Sequence, residues 1–169
     1  TPLEKLYEWN ENVPERIFLR QPINGAYKTF TWAEVNDQAR RLASALLAQG
    51  LTKGDKVAVL SKNCAEWFIT DYAIQLADLV SVPLYPLQTP ESLEYVLTHS
   101  GAKVVIIGKL DGAKAMEPGI PDNVIRIGMP YPMEMQIQHP WNDLLAQHQP
   151  IQDSPVHDMD KLMTIIYTS

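Results

Sequence analysis

From Lys56 onward the chain alternates short β-branched runs with capped helical stretches, and this constrains the fold more than any other feature. Lys56 to Ser61 (KVAVLS), Val80 to Leu84 and Lys103 to Ile107 (KVVII) each read as strands buried on both faces. Between them, Asn63 is placed to cap a helix from Cys64 to about Ala77. Thr89-Pro90-Glu91 opens a second helix that runs to about Ser100 and ends at Gly101. Strict strand-helix alternation is the pattern of parallel βαβ units, so an α/β class follows, with a small open parallel βαβαβ sheet.

The preceding residues have a different period. Thr1-Pro2-Leu3-Glu4 is a capping box with proline at the first helical position. Residues 16–20 and 26–30 flank Asn24-Gly25, which tolerates positive φ, and predict an antiparallel β-hairpin. Thr31-Trp32-Ala33-Glu34 is a second capping box. Val35, Ala39, Leu42, Ala43 and Leu46 then recur at helical intervals until Gly50. Between Pro118 and Pro155 lie seven of the 13 prolines, so loop dominates, with a short strand at Val124 to Ile127 and a helix at Trp141 to Gln147. A segment this poor in structure is expected to wrap the surface of something larger. Lys161 to Tyr167 (KLMTIIY) reads as a buried strand running into the hydroxyls of Thr168 and Ser169.

Composition removes several function classes. The 169 residues carry 14 Lys and Arg against 20 Asp and Glu, a net charge of −6, which disfavours a grip on nucleic acid. No apolar run approaches the roughly 18 residues of a bilayer span, and the N-terminus lacks the basic start and apolar stretch of a signal peptide. A single cysteine, Cys64, excludes an internal disulfide and fits a reducing compartment. His99, His139, His148 and His157 have no metal-ligand spacing, so no metal site is expected. His157-Asp158-Met159-Asp160 reads as a solvated loop, Cys64 as a packed thiol, and Trp32, Trp67 and Trp141 as packing residues. The first strand-helix junction, Ser61-Lys62-Asn63-Cys64, has no glycine fingerprint, which argues against a dinucleotide site. A strand running into consecutive hydroxyls is how phosphate-cradling loops begin, although strand ends rich in Thr and Ser are also common.

Taken in order, several segments resemble the N-terminal part of the AMP-forming, adenylate-forming acyl-CoA synthetases, especially the long-chain fatty-acid:CoA ligases. The residues that carry the resemblance are Phe30-Thr31-Trp32-Ala33-Glu34-Val35, then Gly50-Leu51 with Gly54-Asp55-Lys56-Val57-Ala58, then Ser61-Lys62-Asn63-Cys64-Ala65-Glu66-Trp67. Val82-Pro83-Leu84-Tyr85-Pro86 and His99-Ser100-Gly101-Ala102-Lys103 follow, and Tyr167-Thr168-Ser169 is similar to the opening of the family's ATP phosphate loop. Asp78 departs from the pattern, which usually has glycine there, and Leu87-Gln88-Thr89 replaces the more usual Thr-x-Thr.

The resemblance implies the N-terminal subdomain of the adenylate-forming fold, with residues 1–169 a partial AMP-binding domain cut inside the phosphate-loop motif. It implies that the complete enzyme activates a fatty acid with ATP and Mg²⁺ to an acyl-adenylate and transfers the acyl group to coenzyme A. Thr168 and Ser169 are then the nucleotide-binding residues, while catalytic residues and metal ligands are expected outside this stretch, leaving these residues inactive alone. The partners implied are fatty acid, ATP and coenzyme A, not nucleic acid. The implied location is cytoplasmic, with room for peripheral association at the inner membrane and for a homodimer. Other acyl- or aryl-CoA ligases, peptide-synthetase adenylation domains and a non-catalytic adenylation-like scaffold share this architecture and stay open as alternatives.

Overall fold

A computed structural model describes residues 1–168. Helix α1 (Pro2–Asn12) starts at the Thr1 capping box, whose Glu4 side chain reaches back to the cap. Strands β1 (Ile17–Ile23) and β2 (Ala26–Thr31) form the hairpin. Asn24 and Gly25 turn it at φ 49° and 82°, the two positive values that match strand twist in a two-residue loop. Helix α2 (Trp32–Ala48) is capped reciprocally by Thr31 and Glu34 and buries the predicted Val35, Ala39, Leu42, Ala43 and Leu46.

Strand β3 (Lys56–Leu60), helix α3 (Ala65–Leu76), strand β4 (Val80–Leu84), helix α4 (Pro90–Ser100) and strand β5 (Ala102–Ile107) give the expected alternation. Helix α5 (Ala113–Met116), a 3-10 turn (Glu117–Gly119), strands β6 (Ile125–Gly128) and β7 (His139–Pro140), and helix α6 (Trp141–Gln147) complete the described elements. All five strands of the main sheet pair in parallel, in the order β4-β3-β5-β6-β7. The chain starts in the sheet at β3, steps outward to β4, then crosses back over β3 to β5. That reversal puts helices on both faces.

Alternation along the strands sorts the core. Val57, Val59, Val104 and Ile106 face α2, α3 and α6, whereas Ala58, Leu60, Val105 and Ile107 face α4 and α5. Each face is buried, which explains the continuous apolar runs. Pro83 is tolerated because β4 has a ladder on one side only, so its missing N–H breaks no ladder on the other.

Two expectations are corrected. Asn63 does not cap α3. The N-cap is Cys64, which makes no side-chain cap bond, and the Ala65 N–H instead donates to Oε1 of buried Gln21 at 2.9 Å. A hairpin residue 44 positions away thus performs the capping, which no local pattern reveals. In the proline-rich segment the expected strand and helix are present as β6 and α6. The segment extends the sheet through β6 and β7 and seats α6 on α2, where the Arg40 and Arg41 guanidinium groups donate to the carbonyls of Ile151, Asp153 and His148 at 2.8 to 3.0 Å. Finally, residues 161–167 do not form a strand. A single parallel bridge, Ser81 to Thr164, joins them to β4, and Leu162 and Ile166 are exposed.

Candidate functional site

In a doubly wound sheet the loops beyond the carboxyl ends of the strands form the natural crevices, above all where the strand order reverses. Here the reversal lies between β3 and β5, and that crevice is closed. The Gly108 N–H donates to the Leu60 carbonyl at 3.0 Å and the Lys62 N–H to the Lys109 carbonyl at 2.8 Å. Ser61 Oγ accepts from the Lys109 N–H at 3.0 Å and donates to the Lys62 carbonyl at 2.7 Å. A methyl group on Gly108 would collide with the Ser61 side chain, so glycine is what lets the two loops meet. Behind them, Cys64 Sγ lies 3.7 Å from Ser61 Oγ and 3.8 Å from Met129 Sδ, and the thiol is buried.

The neighbouring junction, between β3 and β4, stays open. A cleft of ≈420 Å³ lies there, walled by Lys62 and Asn63 after β3, Tyr85 and Pro86 after β4, Trp67 of α3, and Tyr167. Tyr85 is 65% exposed, a large aromatic left at the rim. The Lys62 ammonium forms an ion pair with Asp111 across the loop tips. Trp67, expected to be a packing residue and the last residue of a family segment, also faces this cleft, placed there by α3 starting at the cleft floor.

Of the two hydroxyl residues singled out from the sequence, Thr168 is exposed and follows directly on Tyr167, which lines the cleft. Ser169 lies outside the described residues. Tyr167 is held by His99, whose Nδ1 is 2.7 Å from the phenolic oxygen, and His99 in turn stacks on Tyr95 with centroids 5.4 Å apart. In the sequence His99 opens a family segment but gives no sign of this contact, because its partner is 68 residues away.

His157 is also corrected. Its side chain is 8% exposed rather than solvated, and its Nε2 is 2.8 Å from the Gln75 carbonyl oxygen. It stands beside the pairing of Lys161 with Asp78, whose carboxylate also takes Lys53 at 2.9 Å. Burial, and then the nearby Lys53, hold the Lys161 ammonium below the usual lysine range.

Other motif residues brace the scaffold. Buried Glu66 accepts from the Tyr131 hydroxyl at 2.6 Å, and burial together with that bond pushes the phenol far above its ordinary value. Asp55 accepts from Lys103 Nζ and the Thr52 N–H, both at 2.8 Å, and the Lys103 bond holds its carboxyl below the usual range. These bonds tie the turn before β3 to the start of β5. Among the described residues no three His, Cys, Asp or Glu side chains converge on a point where a metal could sit, and no helix is long and apolar enough to cross a membrane.

Comparison with known proteins agrees with this arrangement. The chain is 32% identical over 111 residues to the long-chain-fatty-acid–CoA ligase FadD15 of Mycobacterium bovis, a match covering 66% of this chain and 18% of the relative. The chain therefore spans about a fifth of that relative's length. Among solved structures, a coronafacic acid ligase from Pectobacterium brasiliense superposes with a TM-score of 0.81 at 18% identity, over 98% of this chain and 33% of that one. A benzoate CoA ligase from Burkholderia xenovorans gives 0.77 at 22% identity, over 96% and 31%. The sequence profile described as AMP-binding enzyme matches residues 6–169, and with the fold in agreement the chain belongs to that family.

Proposed function

We propose that residues 1–169 form the N-terminal subdomain of a long-chain fatty-acid:CoA ligase and supply the start of its ATP phosphate loop. The observation that carries this reading is the placement of Tyr167 and Thr168 at the carboxyl end of the parallel sheet, beside the open junction between β3 and β4. The long-chain preference is supported by the identity to FadD15, and the chemistry by membership of the AMP-binding family.

In this reaction a carboxylate oxygen of the fatty acid attacks the α-phosphorus of ATP. The bond to pyrophosphate breaks, leaving an acyl-adenylate. The thiol sulfur of coenzyme A then attacks the acyl carbon, AMP departs with the bonding pair, and the thiol proton passes to water. The first step demands alignment and neutralised phosphate charge more than covalent help from the protein. The Thr168 hydroxyl donates to a phosphate oxygen, and Ser169 is assigned the same task. The edge of β4 aims the loop. Mg²⁺ supplies further neutralisation when bound to the nucleotide; it has no ligand set among the described residues. We place the whole protein in the cytoplasm, where ATP and coenzyme A are at hand.

The test is AMP release by the whole protein with ATP, coenzyme A and one of palmitate, benzoate or acetate. Palmitate is expected to exceed the other two by about tenfold or more in kcat/KM, the scale on which an apolar pocket discriminates by size. Preference for benzoate would overturn the substrate class, and AMP release indifferent to any acid would overturn the ligase reading.

A further inference from the structure

Residues 157–167 run beside β4 with almost no ladder to hold them. The Ser81 N–H donates to the Met163 carbonyl and the Ile165 N–H to the Ser81 carbonyl, both at 2.9 Å, and this one bridge is the backbone connection to the sheet. Every second residue, Leu162, Thr164 and Ile166, faces outward. Yet the segment must stop at a defined place, because Thr168 follows it.

Two side-chain anchors lie on either side of that bridge. At one end is Asp78, one of two non-glycine residues among those described with positive φ, at 59°. Side chains rarely adopt that conformation, and it is maintained here by backbone bonds on both sides: the Asp78 N–H donates to the Gln75 carbonyl at 3.1 Å and the Gly54 N–H to the Asp78 carbonyl at 2.9 Å. The carboxylate so presented gathers Lys53 and Lys161, with His157 Nδ1 at 3.8 Å. His157 is fixed in turn by the Gln75 carbonyl. At the other end His99, braced on the Tyr95 ring, takes the Tyr167 hydroxyl. The His99 ring also meets the edge of Tyr167, with centroids 5.7 Å apart.

We propose that Asp78 and His99 are positioning residues that clamp residues 157–167 along the edge of β4 and thereby set where Thr168 meets the nucleotide phosphates. This rests on the ligase reading for its consequence and on the bonds above for the clamp itself. Neither residue touches the reacting atoms. Lys161, Thr164 and Tyr167 stand three residues apart in sequence, so the anchors and the bridge between them fix both the register and the direction of the segment. Loss of the His99 anchor frees the end carrying Thr168 to swing about the bridge, and loss of the Asp78 anchor lets the segment shift from its other end.

The test uses the whole protein and two variants that spare the scaffold. Asp78→Gly keeps the left-handed turn, which glycine adopts without strain, and removes the carboxylate. His99→Phe keeps the stack on Tyr95 and removes Nδ1. Amide hydrogen exchange is expected to accelerate at Ile165 and Ser81 by about tenfold in each variant, with the β3 and β5 amides unchanged. The KM for ATP is expected to rise about fivefold or more, while kcat at saturation falls less than about twofold, because a displaced loop is drawn back by bound nucleotide. Lys161→Met should reproduce Asp78→Gly, and the double variant should be no worse than either. Unchanged protection at Ile165 and Ser81 overturns the clamp. Uniform acceleration across the whole sheet also overturns it, since that marks a purely structural role. The exchange result decides the clamp without any activity, so a wild-type protein lacking acid-dependent AMP release would sink the ligase reading separately.

Discussion

Two neighbouring crevices at the carboxyl end of the sheet share a strand, β3, and come to opposite ends. Between β3 and β5, where the reversal of strand order ordinarily leaves room for a ligand, backbone and Ser61 hydroxyl bonds close the loops over Gly108. Between β3 and β4 no such bonds form among the described residues, and an aromatic-rimmed cleft remains. Topology therefore does not decide which crevice is open in this fold. Polar satisfaction does: the crevice whose loop N–H and C=O groups find one another is filled, and the other stays open.

Substitutions on the two sides should consequently differ in kind. The largest effect on stability is expected from Gly108→Ala, which forces Ser61 and the loop aside and should cost about 2 kcal/mol, lowering Tm by roughly 4–8 °C in a thermal melt. Ser61→Ala leaves the Lys109 N–H without its acceptor and should cost about 1 kcal/mol in chemical denaturation. Tyr85→Ala, on the rim of the open cleft, should change stability by less than about 0.5 kcal/mol in the same experiment. A loss as large as that from Gly108→Ala would erase the contrast.

The smallest effect concerns α3, whose Trp67 lines the open cleft. Burial raises the Asp71 carboxyl above its ordinary range, more than its bond from Gln75 Nε2 lowers it. The folded state then holds this proton more tightly than the unfolded chain does, so the ionised group is unfavourable at neutral pH and the penalty disappears as pH falls below the unfolded value. Asp71→Asn is expected to raise Tm by on the order of 1–2 °C at pH 7, with no gain at pH 3.

Elements with local signals were legible in the sequence. The capping boxes at Thr1 and Thr31, the Asn24-Gly25 turn, Pro90 and Gly101 each fix a boundary through residues within one turn of it, and the structure places them where the sequence does. What escaped has long-range causes. Gln21 caps α3 from the hairpin, His99 meets Tyr167 across 68 positions, and the two-residue β7 exists only because β6 offers an edge. Residues 161–167 misled for the converse reason. Their composition suits a strand, but with one bridge to β4 the period-2 pattern alternates half-buried and exposed side chains instead of burying both faces. The family motifs pointed to the right region, yet Asp55, Glu66 and Lys103 within them brace the scaffold, and only the geometry separates these from Trp67 and Tyr167 at the cleft.

The central claim is that the open crevice, through Thr168, receives the phosphates of ATP. Its most direct test is exchange of labelled pyrophosphate into ATP by the whole protein with palmitate and without coenzyme A, comparing wild type with Thr168→Ala. The account predicts palmitate-dependent exchange that falls about tenfold or more in the variant, with Tm unchanged, because one donor to a phosphate oxygen is lost from an exposed position. Equal exchange rates in the two proteins would contradict it.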